Sequence, residues 1–410
     1  MRKLKISLIV SSFVFLPYNM LFAQWTQTAL NSGYVNAMMT YGTGVFAGTG
    51  SGIYLTTNIG ANWTMVFNIS GRSFTSAGTN IFAGTQSSGV YLSTNGGMNW
   101  TQVNNGLTAT YVRGLAVHGT NVFAGTTTGG VFLSTNNGGN WNPVNNGLTN
   151  LYVFALFVHN NNIFAGTDNE GAIFKSTNDG ASWTLSGAQY DYTYAFTSNG
   201  ANIFAGTDLH GCYMSSDNGN SWAIVNNGLP DIFVNSMASY GTTVFAGTHQ
   251  GVAYTTNNGS QWYSFSSGLP ANSWIYGMAI DSPYIFAGLY SPQQGVWRRL
   301  LSDLVPVEKE NENVPESFAL YQNYPNPFNP STKIKFSIPL SPLSERGVGG
   351  FVTMKLYDLL GREVSVLVNE QLQPGTYEAE WNASNYPSGV YYYKLTTEFF
   401  TETRKMVLLK

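Results

Sequence analysis

From about residue 34 to residue 300 the chain alternates apolar side chains with polar or small ones in short runs, and Gly, Asn, Ser and Thr break the runs apart. Alternation with period two marks strands, and the breaks mark turns. Between Tyr111 and Val144 the pattern predicts four strands: Tyr111 to Val117, Asn121 to Thr126, Gly130 to Ser134 and Asn140 to Val144. The same four-run block recurs along the chain. Phe-Ala-Gly-Thr opens at Phe46, Phe82, Phe123, Phe164, Phe204 and Phe245, and Phe286-Ala287-Gly288-Leu289 closes the series, at spacings of 36, 41, 41, 40, 41 and 41 residues. Four strands per unit at a period near 40 predict the blades of a β-propeller, here seven-bladed over residues 24–301.

A second signature, Ser/Thr-x-Asn/Asp-x-Gly-x-x-Trp, lies between third and fourth strands and ends at Trp63, Trp100, Trp141, Trp183, Trp222 and Trp262. The Asn or Asp side chain can bond amides of its own turn, the glycine can take a positive φ, and the tryptophan locks the hairpin onto its sheet. This resembles the Asp-box (bacterial neuraminidase, BNR) repeat. The key position is Asn58, Asn95, Asn136, Asn178 and Asn257, with only Asp217 keeping the acid. Asparagine keeps the turn but removes the charge that metal binding or acid catalysis would use. The seventh unit stops at Gly295-Val296-Trp297 without a box, while Trp25-Thr26-Gln27 matches Trp100-Thr101-Gln102, the opening of a fourth strand. The N-terminal strand is therefore expected to complete the last blade and close the ring, which also removes exposed sheet edges.

Composition agrees with an all-β reading: 15% aromatic, 10% charged, 45 glycines. A net charge of −3 leaves no basic stripe for phosphates, so no nucleic-acid partner is expected. Residues 1–23 read as a signal peptide. Arg2, Lys3 and Lys5 precede an apolar run, Ile6 to Leu16, too short to span a bilayer, and no later stretch reads as a transmembrane helix. Cys212 is the one cysteine, beside Gly211 at a strand start, and reads as a small packing residue rather than half of a disulfide.

After Leu301 the composition shifts. Residues 302–314 read as a charged, Pro-containing linker, and residues 315–410 carry nine Lys/Arg and nine Asp/Glu against five and eight in residues 24–300. Turn pairs Pro374-Gly375 and Ser388-Gly389 alternate with aromatic and β-branched runs. The runs from Leu320-Tyr321-Gln322-Asn323-Tyr324-Pro325 to Ser331-Thr332, Lys355-Leu356-Tyr357-Asp358-Leu359-Leu360-Gly361-Arg362, Pro387-Ser388-Gly389-Val390-Tyr391 and Lys405-Met406-Val407 resemble the type A sorting domain of the type IX secretion system. The resemblance implies a small Ig-like antiparallel β-sandwich, a translocon and a sortase as partners, and a protein secreted or attached to the outer cell surface. Leu340 to Gly350 departs from the pattern as a loop insertion.

Chemistry is sparse in the ring. Asp-box propellers include sialidases and other glycoside hydrolases, and a glycosidase needs two carboxylates flanking one bond. Asp168, Glu170, Asp191 and Asp208 lie in or near adjacent loops and are the candidates. A sialidase also needs an arginine cluster, and only Arg72, Arg113, Arg298 and Arg299 are present. His118, His159, His210 and His249 have no carboxylate or cysteine spacing that completes a ligand set, so no metal and no cofactor are expected. Ten residues before each Phe anchor stand Asn36, Arg72, Arg113, Phe154, Tyr194, Asn235 and Tyr276, and the next position is small in all seven units. Two placements are open for this set: a ligand-binding ring at the channel mouth, or packing between blades. Tyr190, Tyr192, Trp274 and Tyr290 add candidate sugar-stacking faces. The favoured function is a module binding a polysaccharide or surface protein; a glycoside hydrolase and a ligand-free scaffold are the alternatives.

Overall fold

The computed structural model describes residues 24–410 except 169–172, 188–190, 201, 292, 305–306, 312–314, 316, 340–349, 373 and 385. The signal-peptide reading, Glu170, Tyr190 and nearly all of the Leu340–Gly350 insertion therefore lie outside the described residues. Apart from one 3-10 turn, Leu301–Asp303, the described residues form strands and turns.

Each Phe-Ala-Gly run forms the second strand of a four-stranded antiparallel sheet, and seven such sheets lie between residues 26 and 300. Six take their strands in chain order. In the seventh, Thr26–Gln27 pairs with Gly295–Leu300, which pairs with Tyr284–Leu289 and then Ile275–Asp281. The fourth strands are shorter than the alternation suggests: Asn142–Pro143 where Asn140 to Val144 was expected. The first strands stand side by side in a closed circle, Val35–Tyr41 against Gly71–Ala77 and so on to Ile275–Asp281, which returns to Val35–Tyr41.

The repeat string is explained by contacts between successive sheets. All seven Phe anchors are at most 1% exposed. The glycine that follows is where the next sheet intrudes: a Cβ on Gly125 would lie 2.6 Å from Val153, on Gly206 2.5 Å from Val234, and on Gly288 2.3 Å from Val35, which closes the ring. The Ser/Thr-x-Asn/Asp-x-Gly-x-x-Trp turn is a local bond network. In the third unit, Ser134 Oγ donates to Asn136 Oδ1 (2.9 Å) and accepts from the Gly138 amide (2.8 Å), while Asn136 Oδ1 accepts from the Asn140 amide (2.9 Å). Gly138 has φ +86° and Asn137, before it, φ +56°, a left-handed pair that glycine and asparagine adopt most readily. The turn's tryptophan reaches into the preceding sheet: Trp141 Nε1 donates to Val103 O (2.7 Å), Trp183 to Val144 O (2.7 Å) and Trp262 to Val225 O (2.6 Å).

The C-terminal segment forms two four-stranded antiparallel sheets that share one apolar core, including Phe336, Met354, Trp381, Tyr393 and Leu395. One contains Val307–Asn311, Gly375–Asn382, Ser331–Ile338 and Ala319–Leu320; the other contains Glu363–Leu372, Gly350–Asp358, Gly389–Thr396 and Thr401–Leu408. Val307–Asn311 lies within the stretch read as linker but pairs with Gly375–Asn382. Its Val-Glu-Lys-Glu-Asn sequence is that of a charged edge strand, a composition edge strands share with linkers. Cys212 is fully buried and burial pushes its thiol up, as suits a packing residue.

Candidate functional site

Every first strand carries a β-bulge at the same place. Pairing jumps between Val35 and Ala37, Gly71 and Ser73, Val112 and Gly114, Val153 and Ala155, Thr193 and Ala195, Val234 and Ser236, and Ile275 and Gly277. The skipped residues are Asn36, Arg72, Arg113, Phe154, Tyr194, Asn235 and Tyr276. A bulge leaves one residue outside the ladder and re-aims its side chain. All seven line one cavity of about 260 Å³ on the ring axis, together with the small residues that follow them and the next residues, Met38 to Met278. The small residues are needed there: a Cβ on Gly114 would lie 2.9 Å from the Leu156 amide, and one on Gly277 3.1 Å from Ala37. Strict alternation cannot decide where this set points, because the bulge interrupts it.

Asn36 and Arg72 are tied together. Arg72 Nη1 donates to Asn36 Oδ1 (2.9 Å), its Nη2 to Gln86 Oε1 (2.8 Å), and Asn36 Nδ2 donates to Gly71 O (3.2 Å). Arg113 lies 4.4 Å from the Phe154 ring centre and 5.5 Å from that of Tyr194. Burial lowers its guanidinium from the ordinary value, and Tyr111 and Tyr194 oppose that. Burial raises the Tyr194 hydroxyl, and the Asp208 charge adds to the rise.

A second ring, which the sequence reading caught only in part, stands two residues earlier. Tyr34, Tyr111, Tyr152, Tyr192, Phe233 and Trp274 occupy this position in six units and Ser70 in one. It is joined to the residues just after the second strands: the Gly50, Gln86, Thr127, Asp208 and Tyr290 amides donate to the carbonyls of Tyr34, Ser70, Tyr111, Tyr192 and Trp274 at 2.8–3.4 Å. Aromatic faces run on around the rim. Phe233 stacks on His249 (4.9 Å), His249 on Trp274 (4.2 Å), Tyr276 on Tyr290 (4.5 Å), and Tyr290 meets Tyr34 (5.2 Å). Tyr34 and Tyr152 are about half exposed.

The carboxylate candidates have separate surroundings. Asp191 is fully buried and accepts from the Tyr192 and Leu209 amides and from His210 Nδ1, each at 2.9 Å. Asp168 accepts from Asn150 Nδ2. Burial raises the Asp208 carboxyl, and the Asp191 and Asp231 charges add to that. Asn58, Asn95, Asn136, Asn178, Asp217 and Asn257 are engaged in their own turns. His118 pairs with Asp179 (2.5 Å). No group of three or more His, Cys, Asp or Glu is placed to hold a metal among the described residues.

His249 gives a pH prediction. Burial holds its imidazole below the ordinary value, with Asp231 pulling partly back. The unfolded chain then takes the proton first, so stability falls as pH drops through about 6.5 and levels off only below the folded value. Thermal melts at pH 7.5 and 5 are expected to show this fall. A His249→Phe substitution reduces it, and His159, also lowered by burial, retains the rest.

Residues 322–409 match the family described as secretion system C-terminal sorting domain. The chain therefore carries a type IX sorting domain and is a secreted or outer cell-surface protein. No curated protein matches the chain. Among solved structures, YCF48 bound to D1 peptide is similar at 15% identity and TM-score 0.53, over 68% of this chain and 96% of that one. PorZ, a bacterial surface component of the type IX secretion system of Porphyromonas gingivalis, is similar at 14% identity and TM-score 0.52, over 94% of this chain and 61% of PorZ. The extracellular domain of the one-component system BT4673 from B. thetaiotaomicron is similar at 13% identity and TM-score 0.54, over 94% of this chain and 59% of that one. These likenesses extend to the fold, which is all-β and propeller-like.

Proposed function

We propose that the chain is a surface-delivered binding module: a seven-bladed propeller of Asp-box type (residues 24–301) that holds a polysaccharide at its axial mouth, joined to an Ig-like sorting sandwich. The signal peptide (1–23) and the sorting domain deliver it through the type IX translocon, with a sortase as a further partner. The observation that carries the binding reading is the cavity lined by seven bulge residues and rimmed by aromatics. Tyrosine and tryptophan offer a sugar both an apolar face and a polar edge. Against a hydrolase stands the state of Asp191, whose carboxylate is committed to three hydrogen bonds, one within its own loop and two from the Leu209–His210 loop.

The test is a binding screen of the full secreted chain against immobilised plant and bacterial polysaccharides, with soluble products measured in the same wells. Binding without products is expected, weakened about tenfold in a Trp274→Ala/Tyr290→Ala variant through the loss of two stacking faces. Product release sinks the binding-only reading. Binding that this variant leaves untouched sinks the placement of the ligand at the axial mouth.

A further inference from the structure

We infer that the mouth takes a polysaccharide bearing carboxylates, a polyuronate, with Arg113 as its principal anion contact and Arg72 beside it. This rests on the glycan-binding reading above and adds the charge of the ligand. Among the described residues, no carboxylate and no hydrogen-bond acceptor pairs with Arg113, which faces the cavity between aromatic rings. Arg72 is hydrogen-bonded by neutral amide oxygens and lies 5.8 Å from the Tyr111 ring centre, and its Nε is a buried donor without a partner. Asn235, 8% exposed and lining the same cavity, has its Nδ2 unpartnered as well.

The mouth is thus rich in donors. A carboxylate is an acceptor-only group and matches the planar guanidinium fork of Arg113. The Asp208 charge acts on Tyr194 and Tyr276 of the same ring, so the anion contact is assigned to the side where Arg72 and Arg113 stand in neighbouring units. The aromatic rim favours a sugar chain over an acidic peptide, because its tyrosine and tryptophan faces suit pyranose rings.

The experiment uses the full secreted chain with polygalacturonate, its fully methyl-esterified form, dextran sulfate and poly-glutamate, by isothermal titration calorimetry. Polygalacturonate is expected to bind at least about tenfold tighter than the ester, which has the same backbone without the charge. Arg113→Gln removes most of that difference, and Arg113→Lys, which keeps the charge but loses the fork, restores only part of it. An unchanged melting temperature in both variants shows that the fold is intact. Equal binding of acid and ester overturns the anion assignment and leaves the glycan reading standing. Equal binding of poly-glutamate or dextran sulfate overturns the polyuronate assignment in favour of a general polyanion or acidic-peptide site. If no polysaccharide binds, the glycan reading falls and this inference with it.

Discussion

Replacing Trp25 with alanine lowers the melting temperature of the ring by roughly 6–20 °C, the shift expected from a core tryptophan deletion of about 3–5 kcal/mol in a domain of this size. Trp25 is 1% exposed, donates from Nε1 to Phe265 O (2.5 Å) and meets the Phe265 ring edge-on at 6.0 Å. It does for the seventh sheet what Trp262 does for the sixth, pinning it to its predecessor. The two residues after it pair with Arg298 and Trp297, and Thr28 Oγ1 donates to Val296 O (2.9 Å) and accepts from Trp63 Nε1 (3.1 Å). One short segment thus bonds the last sheet, the sheet before it and the first. Differential scanning calorimetry is the measurement. A shift of only a degree or two would show that the ring is held by its first strands alone.

The second large effect concerns delivery. A chain that ends at residue 314 is expected to lose surface display, with the epitope signal on intact cells falling to background while the truncated protein stays within the cell envelope. The matched segment, residues 322–409, contains most of the two-sheet core, so truncation removes nearly all of a folded unit and leaves only the edge strand Val307–Asn311, without its partner Gly375–Asn382. Surface signal equal to that of the full chain would show that another segment directs export.

Much of this architecture is legible from residues alone. The Phe-Ala-Gly string announces itself because burial and close approach demand the same types in each sheet: Phe123 has no exposed surface, and Gly125 has no space for a Cβ. The completion of the seventh sheet is legible because Trp25-Thr26-Gln27 repeats Trp100-Thr101-Gln102. The direction of Arg113 is not legible, because alternation assigns faces only along an unbroken ladder, and a bulge has no signature of its own in a single sequence. The outer aromatic ring had a signal. Counting twelve residues back from each Phe, rather than ten, finds Tyr34, Tyr111, Tyr152, Tyr192, Phe233 and Trp274. Sequence reading finds only Tyr192 and Trp274 of this ring, because these residues stand just outside the first strands, where no periodicity draws attention to them. Val307–Asn311 was missed because its charges read as solvent-facing linker.

The seven bulges also bear on how this surface can change. A residue in the ladder answers to two faces, and replacing it disturbs either the core or the neighbouring sheet. A bulged residue stands outside the ladder, although Asn36 still bonds Arg72 and Arg113 still lies over Phe154. The series Asn36, Arg72, Arg113, Phe154, Tyr194, Asn235, Tyr276 already spans amide, cation and aromatic on one unvarying backbone. The axis of the molecule is therefore a seven-letter word that evolution, or a designer, can respell without breaking the strand pairing on which the ring is built.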